Sequence, residues 1–245
     1  GDLYGMHWPF KQHKTSRNIK LVPHHEALKK EGACFGVAGG YERPMWYAKN
    51  RTAEYNYSYN FQNWYPSAEF ETKNTVKNVG LYELTPFSKF ELKGDKIYEE
   101  LQKICTANIK NEIGKCTYTQ MLNTDGGIEA DLTVVCISDK HYRVIGGAAT
   151  RERDKFHIKK HIDPNIKLTD VTDEYICLGL FGPKSRELMK EISTDDFSND
   201  NFRFGYSKNV LIENKNVWAQ RLSYVGEVGY ELYIKCLDAK LIYNK

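Results

Sequence analysis

At 245 residues the chain is long enough for one large domain or two modest ones, each able to bury its own core. Hydrophobic residues make up 41% and charged residues 27%, ordinary for a globular protein, and a formal net charge of only +3 argues against a dedicated nucleic-acid surface. No apolar run approaches the ~20 residues of a membrane span, and Lys and Arg are too dispersed for a membrane or polyanion patch.

The chain opens Gly1-Asp2-Leu3-Tyr4, with neither an initiator Met nor a signal-peptide pattern, and so reads as a fragment or a processed piece. Cys34, Cys105, Cys116, Cys136, Cys177 and Cys236 are far apart and include no C-x-x-C pair. That is the cysteine usage of a reducing compartment.

Residues 1 to about 50 are dense in aromatics, histidines and glycines and read as a compact, loop-rich segment. Within it His24 to Lys30 carries a short helical pattern, with Leu28 on its apolar side and Gly32 as its stop. Gly36, Gly39 and Gly40 do not make G-x-G-x-x-G and have no strand–loop–helix context, which speaks against a dinucleotide site. Residues 50–72 interleave Tyr55, Tyr57, Tyr59, Phe61, Trp64, Tyr65 and Phe70 with polar residues. Only Arg51 and Lys73 flank them, too few cations for a nucleic-acid stacking surface. The stretch reads as an ordered surface arm, and Pro66 argues against a central strand.

The main domain begins near Glu83. Phe90-Glu91-Leu92 alternates as a strand, Gly94-Asp95 turns, and Ile97 to Cys105 forms an amphipathic helix with Ile97, Leu101, Ile104 and Cys105 on one face. Two apolar runs then flank Asn123-Thr124-Asp125-Gly126-Gly127, the signature of a β-hairpin. In its second strand Ile128, Ala130, Leu132 and Val134 face one way, and Glu129, Asp131 and Thr133 the other. That polar face either meets water or needs partners, because a carboxylate is expensive to bury alone.

His141 to Gly147 is another strand ending in glycines, followed by a helix to about His161. His157 and His161 have the i, i+4 spacing of a zinc helix, yet no acidic base stands between them and no third ligand is evident. A solvated basic face is expected there, with no metal. Leu168 to Pro183 reads as one strand entering the helix Ser185–Ile192, with Pro183 in the first helical turn. Glu213–Trp218 and Gln220–Tyr224 read as two more strands. Gly226 and Gly229 permit positive φ on either side of Glu227, for a simple turn or for close approach to a ligand.

Tyr118-Thr-Gln-Met-Leu-Asn123, Gly126-Gly127-Ile128 and Ala130-Asp131-Leu-Thr-Val134 together resemble the folate-site hairpin of the glycine-cleavage T-protein (aminomethyltransferase) family. Ser223-Tyr224-Val225-Gly226-Glu227-Val228-Gly229-Tyr230-Glu231 is similar to that family's Gly-Glu-x-Gly signature, with Val225 where Thr is usual. Thr106-Ala-Asn-Ile109 and Leu180-Phe-Gly-Pro-Lys-Ser185 fit further family elements. Tyr4-Gly-Met-His-Trp-Pro9 and the Gly36–Tyr47 stretch resemble the connecting segment behind the flavin domain of dimethylglycine dehydrogenases. Where T-proteins often carry Asn, this chain has Gly146 and Gly147.

The resemblance implies an α+β fold: antiparallel sheets with packed helices, preceded by an aromatic-rich connecting segment. The boundaries it suggests are 1–75 for the connecting segment and 76–245 for a folate-binding domain, with the family's C-terminal barrel missing. It implies tetrahydrofolate as cofactor, and FAD only in an upstream domain not present in this chain. That flavin domain would oxidise a small N-methylated amine to an iminium, whose carbon is captured as 5,10-methylenetetrahydrofolate. Asp131 takes the catalytic role; Tyr118, Thr133, Glu227, Phe87, Gly146, Tyr224 and Gly229 line the cofactor. No nucleic acid, membrane or metal is expected as a partner. The compartment is the cytoplasm in a bacterium or the mitochondrial matrix in a eukaryote. Two alternatives stay open: a stand-alone aminomethyltransferase or demethylase, and a non-catalytic regulatory relative.

Overall fold

The computed structural model describes residues 11–109 and 112–245; the Tyr4–Pro9 motif lies outside them. The described chain begins with α1 (His25–Lys30), which has Glu26 in its first turn and Lys29 and Lys30 in its last, as the helix dipole favours. Gly32 ends it at φ +84°, where a Cβ would come within 2.8 Å of the Ala48 carbonyl oxygen. The following segment is less loop-rich than its composition suggests. Strands β1 (Ala33–Ala38) and β2 (Tyr41–Tyr47) pair antiparallel through Gly39-Gly40, and both glycines have positive φ. Two consecutive residues of that kind are what a two-residue hairpin turn demands. The expected surface arm holds a helix, α2 (Tyr65–Lys77), with Pro66 in its first turn, where a missing N–H costs nothing.

The rest comprises β3 (Gly80–Glu83), β4 (Ser88–Lys93), α3 (Ile97–Ile104), β5 (Cys116–Leu122), β6 (Ile128–Ser138), β7 (His141–Gly146), α4 (Arg151–His161), β8 (Lys167–Asp170), β9 (Tyr175–Phe181), α5 (Ser185–Ile192), β10 (Tyr206–Ile212), β11 (Lys215–Arg221), β12 (Gly229–Lys235) and α6 (Ala239–Tyr243). Two five-stranded antiparallel sheets result, ordered β5-β6-β7-β4-β8 and β10-β11-β12-β9-β3. The fold is α+β.

Three apolar clusters stack these layers. Phe90, Leu92, Ala130, Leu132, Val134, Tyr142 and Val144 cover one face of the first sheet and meet Ile97 and Leu101 of α3 and Ile158 of α4. Val135 and Ile145, on its other face, meet Cys177, Phe181 and Tyr233 of the second sheet. The outer face of the second sheet packs on Leu28 of α1, Met189 of α5 and Ile242 of α6. Val22, Ala33 and Tyr41 belong to that same cluster, so the N-terminal hairpin is joined to the second sheet through a common core.

Three expectations are corrected here. Leu168–Pro183 is two strands, because a 3-10 turn at Thr172–Glu174 carries the chain from the first sheet (β8) to the second (β9). Pro183 lies outside α5, whose N-cap is Lys184. Glu213 and Asn214, at φ +50° and +58°, are the turn between β10 and β11, and Val217 and Ala219 sit within one buried strand. Residues 222–228 form a loop, not a strand.

Candidate functional site

The register of β5 on β6 sets Gln120 opposite Asp131 and Tyr118 opposite Thr133, so the four side chains share one face of the hairpin. Gln120 Nε2 donates to Asp131 Oδ1 at 3.2 Å. The Asp131 carboxylate lies near the Tyr118 hydroxyl and raises the phenol's pKa. Tyr118 is 64% exposed and Asp131 is exposed as well, while Thr133 is half-buried. The polar face therefore meets water in this chain. Behind it, Ala130, Leu132 and Val134 are buried as expected, but Ile128 is 66% exposed. A register shift pairs Met121 with Ala130 and Leu122 with Ile128, leaving Glu129 as the extra residue and turning Ile128 out of the apolar row.

Phe87 lies in the turn between β3 and β4 and packs on the cluster between the sheets, as does Leu222. The turn is held from below by Lys89. Its ammonium is fully buried and donates to the carbonyl oxygens of Thr85 and Phe87, each at 2.9 Å. Burial draws that ammonium's pKa down to about 8. Leu222 begins the loop that carries Tyr224 and Glu227, so the base of this loop and Phe87 belong to one apolar cluster. Glu227 is half-buried, and Tyr224 is 89% exposed.

The two glycines flanking Glu227 differ from expectation. Gly226 has φ +80° and open space around it, so its role is conformational. Gly229 has no positive φ and is the first residue of β12; a Cβ there would stand 2.2 Å from Phe181 Cδ1 and 2.8 Å from the Leu222 oxygen. Its smallness serves close packing at the root of the loop. Gly146 is opposite Leu132, and its missing Cβ would face Ser88 Oγ at 3.0 Å and Asp154 Oδ2 at 3.2 Å. It therefore looks to the far side of the sheet from Asp131.

Tyr118, Asp131 and Thr133 are thus gathered on one face, Phe87 lies along the cluster that supports it, and Tyr224 and Glu227 share the neighbouring loop. Sequence reasoning passed over Gln120, although it is two residues from Tyr118 and so on the same face. It also passed over Glu231, which pairs with the fully buried Gln220 and accepts from the Tyr233 hydroxyl at 2.8 Å. Burial raises the Glu231 carboxyl pKa. A cleft of 540 Å³ lies elsewhere, beside α2 and α6. The Asp131 face is the candidate site on its side-chain chemistry.

His157 is buried, not solvated; desolvation lowers its pKa, and its ring centroid lies 4.7 Å from that of His161. Among the described residues no group of three His, Cys, Asp or Glu is placed to hold a metal ion. The six cysteines are free thiols, and no helix of the described residues is long and apolar enough to cross a membrane.

Two five-stranded antiparallel sheets with outer helices are an architecture found in a solved structure. Aminomethyltransferase T of the glycine cleavage system from Bartonella henselae has the same fold, with a TM-score of 0.75 over 93% of this chain and 56% of that one, at 19% identity. The family model of the GCVT N-terminal domain matches residues 24–245, and the chain belongs to that family. It is 37% identical over 235 residues to 4-methylaminobutanoate oxidase (formaldehyde-forming) of Paenarthrobacter nicotinovorans, covering 95% of this chain and 28% of the oxidase. It is 31% identical over 220 residues to mitochondrial dimethylglycine dehydrogenase of Rattus norvegicus, covering 88% and 26%. The chain thus spans little more than a quarter of the length of these two relatives.

Proposed function

We propose that the chain is the tetrahydrofolate-binding, one-carbon-transfer part of a flavin-dependent enzyme resembling dimethylglycine or sarcosine dehydrogenase. Its product would be 5,10-methylenetetrahydrofolate. Residues 76–245 would be the folate-binding domain and 1–75 the segment joining it to an upstream flavin domain. Both relatives named above are described as acting on N-methylated amino acids, which supports an oxidised N-methyl amine as the carbon source. The compartment would be the mitochondrial matrix in a eukaryote or the cytoplasm in a bacterium.

The observation that carries this reading is the Asp131 carboxylate, held by Gln120 with Tyr118 on the same open face, beside an apolar cluster that also anchors the Glu227 loop. The residues present fit a reduced folate. Glu227 makes no hydrogen bond among the described residues and can accept from the amino and ring N–H groups of an aminopyrimidine edge, a charge-assisted two-point contact. Gly226, with open space where a side chain would stand, lets that backbone approach. Tyr118, Thr133 and Phe87 would border the ring, and Tyr224 would close over it. Tetrahydrofolate, when bound, supplies the nucleophilic nitrogen. Asp131 would orient that nitrogen and stabilise positive charge developing beside it.

Calorimetry of tetrahydrofolate on the intact protein tests the assignment. Glu227→Gln keeps the shape and removes the charge, and it should weaken binding by ~1–3 kcal/mol. An unchanged affinity would remove Glu227, and the folate reading with it.

A further inference from the structure

The N-terminal hairpin and the turn between β3 and β4, distant in sequence, meet tip to tip. Gly39, at φ +56° in the β1–β2 turn, lies so close to the second turn that a Cβ on it would stand 3.0 Å from Ala148 Cβ and 3.5 Å from both the Cβ and the carbonyl oxygen of Pro86. Pro86 is the residue before Phe87. A Cβ on the adjacent Gly40, at φ +83°, would meet only Lys20 Cδ, at 3.6 Å.

A second contact lies beneath the turn. His24, the N-cap of α1, meets Glu83 Oε2 through Nε2 at 2.7 Å, and both side chains are almost fully buried. The other Glu83 oxygen accepts from the Thr85 backbone N–H at 2.8 Å. One carboxylate thus ties the turn to the N-terminal segment, and the His24 ring is itself stacked on Tyr243 with centroids 4.5 Å apart.

A third contact runs through Asp173, which accepts from the Tyr41 hydroxyl at 2.6 Å and from Lys20 Nζ at 3.0 Å. The neighbouring Thr172 accepts on its hydroxyl from the Lys89 N–H at 2.9 Å and on its carbonyl from the Lys89 ammonium at 3.4 Å. That ammonium is the one that holds the carbonyls of Thr85 and Phe87. Buried polar contacts made from several sides and satisfied together hold a turn in one arrangement.

We propose that Gly39 and His24 are positioning residues for Phe87: the N-terminal segment sets the height and angle of the β3–β4 turn, and through it the ring that borders the bound pterin. The ligand rests on the folate reading above, the geometry on the contacts themselves. Stacked and edge-to-face ring contacts depend on close approach, and a gap of a fraction of an ångström forfeits much of their attraction. Gly39 and His24 therefore contribute to folate affinity without touching folate.

The two glycines of the β1–β2 turn form a matched pair. Gly39→Ala and Gly40→Ala both strain a residue at positive φ, but only the first drives a methyl group against Pro86 and Ala148. The test reads hydrogen exchange at the Thr85 and Phe87 amides, the latter bonded to the Leu84 oxygen at 3.1 Å, together with tetrahydrofolate calorimetry on the intact protein. Gly39→Ala should speed exchange at both amides and weaken tetrahydrofolate about tenfold. Gly40→Ala should leave both readouts at parental values. His24→Leu strands a buried Glu83 oxygen and should act as Gly39→Ala does, whereas His24→Gln, whose Nε2 can reach the same oxygen, should restore both. Parental exchange after Gly39→Ala, or equal effects of the two glycine variants, would overturn the positioning. Faster exchange with parental folate affinity would detach the turn from the site and overturn it as well. A parent that binds no tetrahydrofolate removes the folate reading and the role given to Phe87, while exchange in the glycine pair still decides whether the N-terminal segment sets the turn. The glycine pair also decides if His24→Leu does not fold.

Discussion

Gln120 and Asp131 stand directly opposite each other on β5 and β6, and the amide donates to the carboxylate at 3.2 Å. An exposed carboxylate would otherwise sample several rotamers; here the Gln120 amide restricts it, with the Tyr118 phenol on the same face. Gln120→Leu removes that restraint at a surface position. Its effect on stability should stay within ~0.5 kcal/mol by denaturant unfolding. Carbon transfer should fall several-fold while folate affinity changes less, which is the mark of lost positioning. Transfer at the parental rate would show that Gln120 is only a neighbour.

Gly229 and Gly226 sit two residues apart from Glu227 or closer, yet they should respond differently to substitution. Gly229→Ala forces a Cβ against Phe181 and the Leu222 carbonyl, inside the cluster that joins the two sheets. Overpacking of that kind costs ~1–3 kcal/mol. Gly226→Ala meets no atom and bears only the strain of a positive φ, so about 1 kcal/mol is expected. Urea midpoints measured side by side settle the order, and a larger loss at Gly226 would contradict the packing role of Gly229.

The hairpin and the shared polar face of Asp131 and Thr133 were legible because period-2 alternation and a turn cluster are local signals, whereas Tyr118 was implied only by the family resemblance. The departures come from non-local causes. The outward turn of Ile128 needs the extra residue at Glu129, which is visible only once the partner strand is in register. The transfer of the chain from one sheet to the other at Thr172–Glu174 is marked in sequence only by the largely polar run Thr169 to Glu174, and which sheet each flanking strand joins is decided by distant partners. At Gly146 and Gly229 the close packing is likewise non-local, and Gly229 lacks the positive φ expected of it. A glycine required by a distant Asp154 or Phe181 looks, in sequence, like one required by a ligand.

Glu91 links β4 to β7 by accepting from His141 at 2.8 Å and Arg143 at 2.6 Å. These bonds, His141's first, pull its carboxyl down to about 2. A folded-state pKa below the unfolded one contributes stability above the ordinary carboxylate range that is lost as pH falls toward 2. Between pH 4.5 and 2 the parent should lose ~1–3 kcal/mol from this group, allowing for partial solvent screening. Glu91→Gln should be less stable near neutrality and show a shallower acid slope, read from urea midpoints across that window. Parallel slopes in the two proteins would mean that Glu91 is not held in its charged form by folding.

Asp131→Asn separates a catalytic carboxylate from a solvated hairpin residue. Asn is nearly isosteric and can still take the Gln120 amide hydrogen on its oxygen, so the exposed face should keep its shape and stability. If the carboxylate serves only the hairpin, carbon transfer survives the change. If it stabilises positive charge as the one-carbon unit moves onto folate, the loss falls on transfer, by roughly 10²–10³-fold for one preorganised electrostatic partner. Amine oxidation, placed at a separate flavin domain in the proposed function, should continue at the parental rate. The carbon it produces should then leave as formaldehyde. The measurement is the ratio of formaldehyde to 5,10-methylenetetrahydrofolate from the full-length protein with tetrahydrofolate present, parent against variant. A strong shift toward formaldehyde with unchanged amine consumption assigns the charge to the transfer step, whereas equal ratios would take Asp131 out of the chemistry and leave it a feature of the hairpin alone.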